Sequence, residues 1–442
     1  MNDLIKKQKD KLNLLIMVSL FITLILISFI IDTPNEILQG LYRIILHPDM
    51  LLTDYLAVGG VGATLVNVGF VALIIVGMIY ILKIPLTGPL IASVITVSGF
   101  SFIGKNFINI WPILIGTFLY ARYQKIPYRD IAVTSFFITT LAPAVSEIAF
   151  GLELDYLISV PLALFTGIGI GFITVPLANH MYQFHNGYNL YNIGFVGGII
   201  GTLITSLLRG FGLMIEPQSN LSTQYSAPIR NVLIFIFLFY ILLGFVINKK
   251  SFKGYKNILE HSGPGLADFV KKFGFGLTYV NIGIMGLISV LYVIIAKGTF
   301  NGPIIAGILT VVAFATSGKT PKNSVPILIG VYLAASLKIF NVSDTSIIIA
   351  ALFGTTLAPI TGTYGVFAGI IAGFLHVSIV SNVVMIHGGL NLYNNGFSGG
   401  IVAAIMVPLI ESFQRTPPNP YVEAITLMVP MDFSCNPDDI NH

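Results

Sequence analysis

The sequence predicts an all-α fold, a polytopic transmembrane helical bundle of two inverted-topology repeats with roughly 10–14 spans and re-entrant hairpins. An apolar composition, uncharged segments of spanning length and an internal duplication together predict it. Of the 442 residues, 55% are hydrophobic and 10% are charged, whereas a soluble domain carries about a quarter charged residues. Residues 345–410 contain no Asp, Glu, Lys or Arg, and this run is longer than the ~20 residues of one span.

Uncharged apolar segments divide the chain into two sets. The first set falls near 13–31, 64–82, 85–104, 107–121, 131–146, 157–179 and 190–208. The second set falls near 231–248, 275–296, 299–318, 323–336, 345–360, 364–386 and 391–410. Helices are expected because lipid offers no partner to unpaired backbone groups. We therefore predict four regions: a first transmembrane repeat over 1–211, a polar linker over 212–229, a second transmembrane repeat over 230–411 and a flexible tail over 412–442.

The duplication is the strongest signal, because matched motifs recur in the same order. Several motif pairs share a spacing of 214 residues. They are Gly88-Pro89 with Gly302-Pro303, Gly104-Lys105 with Gly318-Lys319, 112–116 with 326–330, and Asp54, Asn67 and Gly69 with Asp268, Asn281 and Gly283. The string Thr-Thr-Leu-Ala-Pro recurs after 216 residues. The string Asn-Leu-Tyr-Asn at 189–192 recurs at 391–394, after 202 residues. The first half thus has about 14 extra residues, which we expect in a loop near 151–155.

The basic residues predict orientation. Lysines precede the first span, so the N-terminus is expected in the cytoplasm, and the protein in the inner (plasma) membrane as a multi-pass chain. In the second half, Lys249 and Lys250 follow the equivalent span instead. The two equivalent spans therefore run in opposite directions. Seven crossings per half, or five with one re-entrant hairpin, are both odd numbers and both produce inverted repeats.

Lys105 and Lys319 are the first candidate site residues. Each lies between two short apolar stretches that can form a re-entrant hairpin. An ammonium inside the membrane is costly unless it is used or paired, so a contact with an anionic or polar solute is one interpretation. The other is a full hairpin whose lysine reaches headgroups or water.

The repeated Thr-Thr-Leu-Ala-Pro strings supply the second set of candidates, Thr139, Thr140, Thr355 and Thr356. A proline within a span frees a backbone carbonyl, which the hydroxyls can supplement as ligands. A simple kink with each hydroxyl bonded to its own helix is the alternative. Glu147 follows the first copy and is the candidate for ion coupling, with an interfacial helix end as the alternative.

Four asparagines in glycine-rich segments form the third set, namely Asn189, Asn192, Asn391 and Asn394. Amides followed by small residues suit a broken helix whose N-terminus points at a ligand. Close helix packing with interhelical hydrogen bonds is the alternative. His185 and His387 open these segments, but two histidines without a third ligand do not predict a metal site.

These features predict a membrane transporter or channel for a small polar or anionic solute, with its site between the two repeats. No catalytic residue, metal or cofactor is predicted, since the polar residues occur in pairs and no nucleotide motif is present. The solute and the lipid bilayer are the expected partners, with a homo-oligomer left open. Basic residues are dispersed, so nucleic acid is not expected. The rival class is a membrane-embedded enzyme acting on a lipid or small molecule.

The chain resembles, over nearly its whole length, a bacterial family of integral membrane proteins known only as domain of unknown function 1576. That resemblance implies a membrane protein and no particular activity. The lead-in segment 38–43, and Gly187-Tyr188-Asn189 with Gly194, are distantly similar to segments of bacterial urea transporters. This second resemblance implies a two-fold inverted-repeat channel with a narrow solute pore.

Overall fold

The computed structural model describes residues 2–215, 219–261 and 263–414, with side chains described from residue 13 onward. Most of the predicted tail lies outside the described residues. The helices of the first half are α1 Asn2–Ile31, α2 Pro34–Leu46, α3 Tyr55–Val58, α4 Val61–Ile81, α5 Gly88–Phe100, α6 Trp111–Tyr123, α7 Tyr128–Ile138, α8 Ala142–Phe150, α9 Tyr156–His185 and α10 Asn192–Gly210.

The helices of the second half follow the same order. They are α11 Ser226–Ile247, α12 Tyr255–Glu260, α13 Phe269–Ile295, α14 Gly302–Phe314, α15 Pro321–Leu337, α16 Thr345–Gly354, α17 Ala358–Tyr364, α18 Val366–Ile386 and α19 Asn394–Phe413. A 3-10 turn joins α7 to α8 at Thr139–Leu141, and another joins α16 to α17 at Thr355–Leu357. Both turns coincide with the repeated Thr-Thr-Leu strings, where proline in the next turn removes a backbone donor.

Ten helical stretches are long and apolar enough to cross a membrane within the described ranges. They are Asn13–Ile31, Val61–Ile81, Tyr128–Phe150, Tyr156–His185, Asn192–Gly210, Ser226–Ile247, Phe269–Ile295, Thr345–Tyr364, Val366–Ile386 and Asn394–Phe413. Five belong to each half. The predicted all-α, multi-pass membrane fold is confirmed, at the lower end of the predicted number of spans.

The remaining apolar helices form two short helical hairpins, α5–α6 and α14–α15. Helices α5, α6 and α14 each have 13 residues, or about 20 Å at 1.5 Å per residue, which is less than the ~30 Å hydrocarbon layer. Each hairpin tip is held by an asparagine from a neighbouring span. The Asn67 side chain donates to the carbonyl oxygens of Ser101 and Lys105 at 2.8 and 2.9 Å.

The second hairpin tip is held in the same way. The Asn281 side chain donates to the carbonyl oxygens of Ala315 and Lys319, both at 2.8 Å. Asn67 and Asn281 are completely buried, and one amide in each half satisfies two carbonyls that the non-helical tips leave without partners. A buried carbonyl without a donor is costly, so these asparagines make the irregular tips possible.

The halves contact each other through equivalent elements. Helix α5 packs on α14, and α10 packs on α19, while α1 packs on α4 and α11 on α13 within the halves. The backbone N–H of Gly302 donates to the Asp54 carboxylate at 3.1 Å, and that of Gly88 donates to the Asp268 carboxylate at 2.9 Å. Each half therefore supplies an acidic acceptor to the start of the other half's short helix.

Two details differ from the sequence expectations. The extra residues of the first half lie mainly in a helix rather than a loop, since α9 has 30 residues and α18 has 21. Helical periodicity continues through the inserted segment because it is apolar, and only 151–155 is non-helical. In addition, α11 begins at Ser226, so the last four residues of the predicted linker 212–229 are helical.

Replacing Asn67 by alanine is expected to destabilise the protein, because the carbonyls of Ser101 and Lys105 lose their donor. We expect the free energy of unfolding to fall by about 1–3 kcal/mol, the cost of unsatisfied buried groups. The measurement is the midpoint of thermal unfolding in detergent. Asn382→Ala is the matched control, since the exposed Asn382 amide donates to a single carbonyl of its own helix. Equal midpoints for the two variants would contradict this role for Asn67.

Candidate functional site

Two lysine side chains, one from each hairpin tip, are buried where the halves meet. Lys105 is 1% exposed and Lys319 is 0% exposed. The Lys105 ammonium donates to the Thr139 hydroxyl at 2.8 Å, and the Lys319 ammonium donates to the Thr355 hydroxyl at 2.6 Å. Among the described residues, neither ammonium lies within 4.0 Å of a carboxylate. Both buried cations therefore have hydroxyl partners and no neutralising charge.

Six aromatic side chains pack on one another next to the lysines, and three of them contact a lysine directly. They are matched between the halves: Phe100 with Phe314, Phe137 with Phe353 and Tyr191 with Tyr393. The two tyrosine rings are adjacent, with centroids 4.8 Å apart. Each tyrosine packs on a phenylalanine of the other half at 4.7 Å, Tyr393 on Phe100 and Tyr191 on Phe314. We refer to these six rings, the two lysines and their two threonines as the central cluster.

The central cluster differs between its two copies. The Lys319 ammonium donates to the Tyr191 hydroxyl and lies 4.4 Å from the centre of that ring. In the other copy, the hydroxyls of Tyr393 and Thr96 are buried and face each other, but they lack a hydrogen bond of normal geometry. The Lys105 ammonium lies 5.3 Å from the centre of the Phe100 ring instead. One copy is closed by hydrogen bonds from its lysine to Tyr191 and Thr355, whereas the Tyr393 hydroxyl of the other copy makes no such bond.

The second threonine of each string joins the two halves. The Thr356 hydroxyl donates to the Asn189 side-chain oxygen at 2.6 Å and accepts from the Tyr191 backbone N–H at 2.9 Å. Thr140 does the same with Asn391 and Tyr393, at 3.3 and 3.0 Å. These reciprocal bonds place the two tyrosines of the central cluster.

The asparagines themselves have structural partners. Asn189 and Asn391 also donate to the carbonyl oxygens of Gly396 and Gly194 across the interface, at 2.8 and 2.9 Å. Asn192 and Asn394 accept no bond across the halves and instead face His185 and His387, at 3.1 and 2.6 Å. A Cβ atom on Gly194 would lie 2.6 Å from the Cβ of Tyr393. These segments therefore combine close helix packing through glycine with hydrogen bonds between helices.

Glu147 lies on α8, away from the lysines, and is 3% exposed. Asp49 is completely buried in the same region, since the Asn109 amide that donates to it also donates to Ser146, the residue before Glu147. Glu147 lies in the last turn of α8 with its side chain buried, and both its ion-coupling role and the interfacial alternative stay predictions. No three His, Cys, Asp or Glu side chains converge to hold a metal ion in the part of the chain that the structure describes.

Two cavities lie at matched places in the two halves, and the smaller one borders the central cluster. One has a volume of about 420 Å³ and is lined by Leu52, Ile349, Val380 and Asn394, among others. The other has a volume of about 170 Å³ and is lined at the equivalent positions by Leu266, Val133, Ala178 and Asn192. The smaller cavity reaches Tyr191 and Tyr393. We call them the wide and narrow vestibules; they occupy matched places in the two halves.

The structure thus brings together most of the residues that the sequence singled out. Lysines and first threonines meet in the central cluster, second threonines meet Asn189 and Asn391, and Asn192 and Asn394 line the vestibules. Glu147 is apart from them. The sequence reasoning missed Tyr191 and Tyr393, although both lie inside the repeated segments, and it missed Asp49, which has no counterpart in the second half.

One family model matches most of the chain. The model described as "Protein of unknown function (DUF1576)" covers residues 33–210 and 247–412. The chain belongs to this family, as its resemblance implied. No curated protein and no solved structure matches the chain, so the similarity to urea transporters has no support from them.

Thr356→Val is expected to destabilise the protein, because it leaves the Tyr191 N–H and the Asn189 oxygen without the hydroxyl. Thr140→Val is expected to have a similar effect in the other half. The fall in the free energy of unfolding should be about 1–3 kcal/mol in each case, read from thermal unfolding. Thr174→Val is the matched control, since that buried hydroxyl bonds only a carbonyl of its own helix at 2.6 Å. An equal loss in the control would contradict the interface role.

Proposed function

We propose that this protein is a transporter or channel for a small anionic solute, which binds at the central cluster between Lys105 and Lys319. The observation that carries the proposal is the pair of buried lysines without a carboxylate partner. Removing a cation from water is expensive, and an anion that enters the site offsets that cost. The bound anion would contact two lysines, one from each half.

The unsatisfied hydroxyls favour the Lys105 side as the first binding position. The hydroxyls of Tyr393 and Thr96 can both donate to an anion that lies beside the Lys105 ammonium. On the Lys319 side, the ammonium already holds Tyr191 and Thr355. A solute that moves to this side must break the tyrosine contact, which makes the Lys319–Tyr191 bond a gate in the proposed pathway.

The matched vestibules support a two-sided pathway. Five candidate spans per half, together with a hairpin that does not cross, are an odd number of crossings. An odd number inverts the second half relative to the first. The wide and narrow vestibules would then open on opposite faces of the membrane, with the central cluster between them. We propose a plasma-membrane location with the N-terminus in the cytoplasm, on the distribution of basic residues.

An enzyme is the weaker alternative. The polar groups of the central cluster occur as matched pairs, whereas acid–base catalysis needs two groups with different roles. The rings that enclose the lysines leave little room for a lipid or other large substrate. A small monovalent anion such as formate, nitrite or chloride fits the enclosure better than a larger carboxylate.

Transport is tested by reconstituting the protein in liposomes and measuring uptake of formate, nitrite, nitrate, chloride, acetate, urea and glucose. We expect at least one small anion to enter faster than in protein-free liposomes. Lys105→Met and Lys319→Met should each slow that uptake about tenfold to a hundredfold, because a charge-assisted hydrogen bond contributes about 1.5–3 kcal/mol.

Lys322→Met is the matched control for these variants. Lys322 lies three residues beyond Lys319, in the first turn of α15, and its side chain is exposed. Uptake by this variant should therefore be unchanged. Uptake confined to urea or glucose, or anion uptake that survives both buried-lysine substitutions, would remove the lysines from the pathway.

Inversion is tested with single cysteines, after Cys435→Ser removes the one native cysteine. Lys125→Cys lies in the exposed connection from α6 to α7, and Ile339→Cys lies at the equivalent position after α15. We expect a membrane-impermeant maleimide to label Ile339→Cys in intact cells and Lys125→Cys only after the membrane is opened. Labelling of both from the same side would show that the halves run in parallel.

A further inference from the structure

The first half contains a pair of buried carboxylates that the second half lacks. Asp49 is 0% exposed and Glu147 is 3% exposed. At the spacings of the duplication, their counterparts are Gly263 and Thr363. The residues around them differ too, since the neighbour Tyr55 corresponds to Phe269. This acidic chemistry therefore belongs to one half alone, although the surrounding fold is repeated.

The carboxylate of Asp49 is only half satisfied. The Tyr55 hydroxyl donates to its Oδ2 atom at 2.8 Å, and the Asn109 amide donates to the same atom at 3.3 Å. The Oδ1 atom is buried and makes no hydrogen bond, and neither does the Oε2 atom of Glu147. Asn109 also donates to the Ser146 hydroxyl at 2.9 Å, which ties Asp49 to the helix that carries Glu147.

The groups facing this pair supply no fixed positive charge. The His47 Nδ1 atom lies 3.9 Å from Asp49 Oδ1, but it lies 2.7 Å from the Pro48 carbonyl oxygen, and burial lowers the pKa of its imidazole. Tyr55 and Glu147 are the other titratable neighbours. Lys105, next to the hairpin residue Asn106, directs its ammonium to Thr139 instead.

We propose that Asp49 and Glu147 form a proton-binding site that holds one shared proton and releases it during the transport cycle. Two carboxylates that are buried in one region and linked through Asn109 and Ser146 cannot both be charged without a counter-charge, because neither the membrane nor the protein interior solvates them. The unsatisfied Oδ1 of Asp49 and Oε2 of Glu147 are the positions that a proton can occupy. The coupling of this proton to solute movement rests on the proposed function.

A proton fits the pair better than a metal cation does. The groups around Asp49 are the Tyr55 and Ser146 hydroxyls and the Asn109 amide, each of which can present a hydrogen atom to the carboxylate. A sodium ion would need several oxygen ligands at once, whereas a proton needs a single carboxylate oxygen. Burial, with a further contribution from the Glu147 charge, raises the pKa of the Asp49 carboxyl to about 8, so a proton can be gained and lost near neutral pH.

The position of the pair connects it to the hairpin tip that carries Lys105. Asn109 contacts Asp49, Ser146 and, at 3.2 Å, the carbonyl oxygen of Gly104. Loss of the proton would strengthen the charge on Asp49 and hence its bonds from Tyr55 and Asn109. The position of the hairpin tip that carries Lys105 would then depend on whether the proton is bound. The tip that carries Lys319 lacks such a carboxylate pair, so its position would not.

The test is an infrared titration of the purified protein in lipid nanodiscs, without any solute. The carbonyl stretch of a protonated carboxylic acid is followed between pH 5 and 10 in the native protein and in Asp49→Asn and Glu147→Gln. We expect the native band to disappear with a midpoint near pH 8. Asp49→Asn should remove the transition near pH 8 and leave only the carboxylic-acid band of Glu147, with its own midpoint. Glu147→Gln should move its midpoint to lower pH, because the like charge that raises the pKa is gone.

Asp130→Asn is the matched control, since that carboxylate lies on the surface of the same half with 58% of its side chain exposed. The control should leave the native transition unchanged. If Asp49→Asn does not fold, the shift in Glu147→Gln decides alone. A native protein without a titrating band above pH 6, or a transition that neither variant alters, overturns the proposal.

Sodium is tested in the same experiment by exchanging choline chloride for sodium chloride. A midpoint that is the same in both salts supports a proton site, and a midpoint lowered by sodium overturns it in favour of a cation site. The titration needs no transported solute. A failed uptake assay with an intact titration therefore counts against the proposed function only, and the reverse result counts against the proton site only.

Discussion

Hydrogen bonds to the two non-helical hairpin tips are the constraint on which the rest of the structure depends. A tip inside an apolar bundle leaves carbonyl groups without helical partners, and such groups are tolerated there only when other parts of the protein satisfy them. Asn67 and Asn281 supply the missing donors. Because the tips can therefore end within the protein, the lysines that follow them are buried between the halves rather than placed in water.

The contact between the halves follows from the same requirement. Asp54 and Asp268 each accept a backbone N–H from the start of the other half's short helix. Thr140 and Thr356 likewise bond to asparagines of the opposite half. A polar group in apolar surroundings has few possible hydrogen-bond partners. Each of these bonds therefore fixes the position of one half against the other as well as stabilising the contact. The duplicated sequence thereby forms a reciprocal interface.

Within this repeated frame, the two halves have diverged in chemistry. The Lys319 copy of the central cluster is closed by Tyr191, whereas the hydroxyl of Tyr393 in the Lys105 copy is unsatisfied. The buried carboxylates Asp49 and Glu147 occur in the first half alone. The chemical differences between the halves therefore concentrate in the first half.

The sequence by itself determined the membrane fold and most of the polar residues that converge, because uncharged runs and repeated motifs are properties of the chain. It did not place the 14 extra residues correctly, since an apolar insertion continues a helix as readily as it forms a loop. The folded structure was needed to see that Tyr191 contacts Lys319 and Tyr393, and that Asp49 and Glu147 share one buried region. Those contacts join residues about 100 or more positions apart, and their partners depend on how the helices pack rather than on any local pattern.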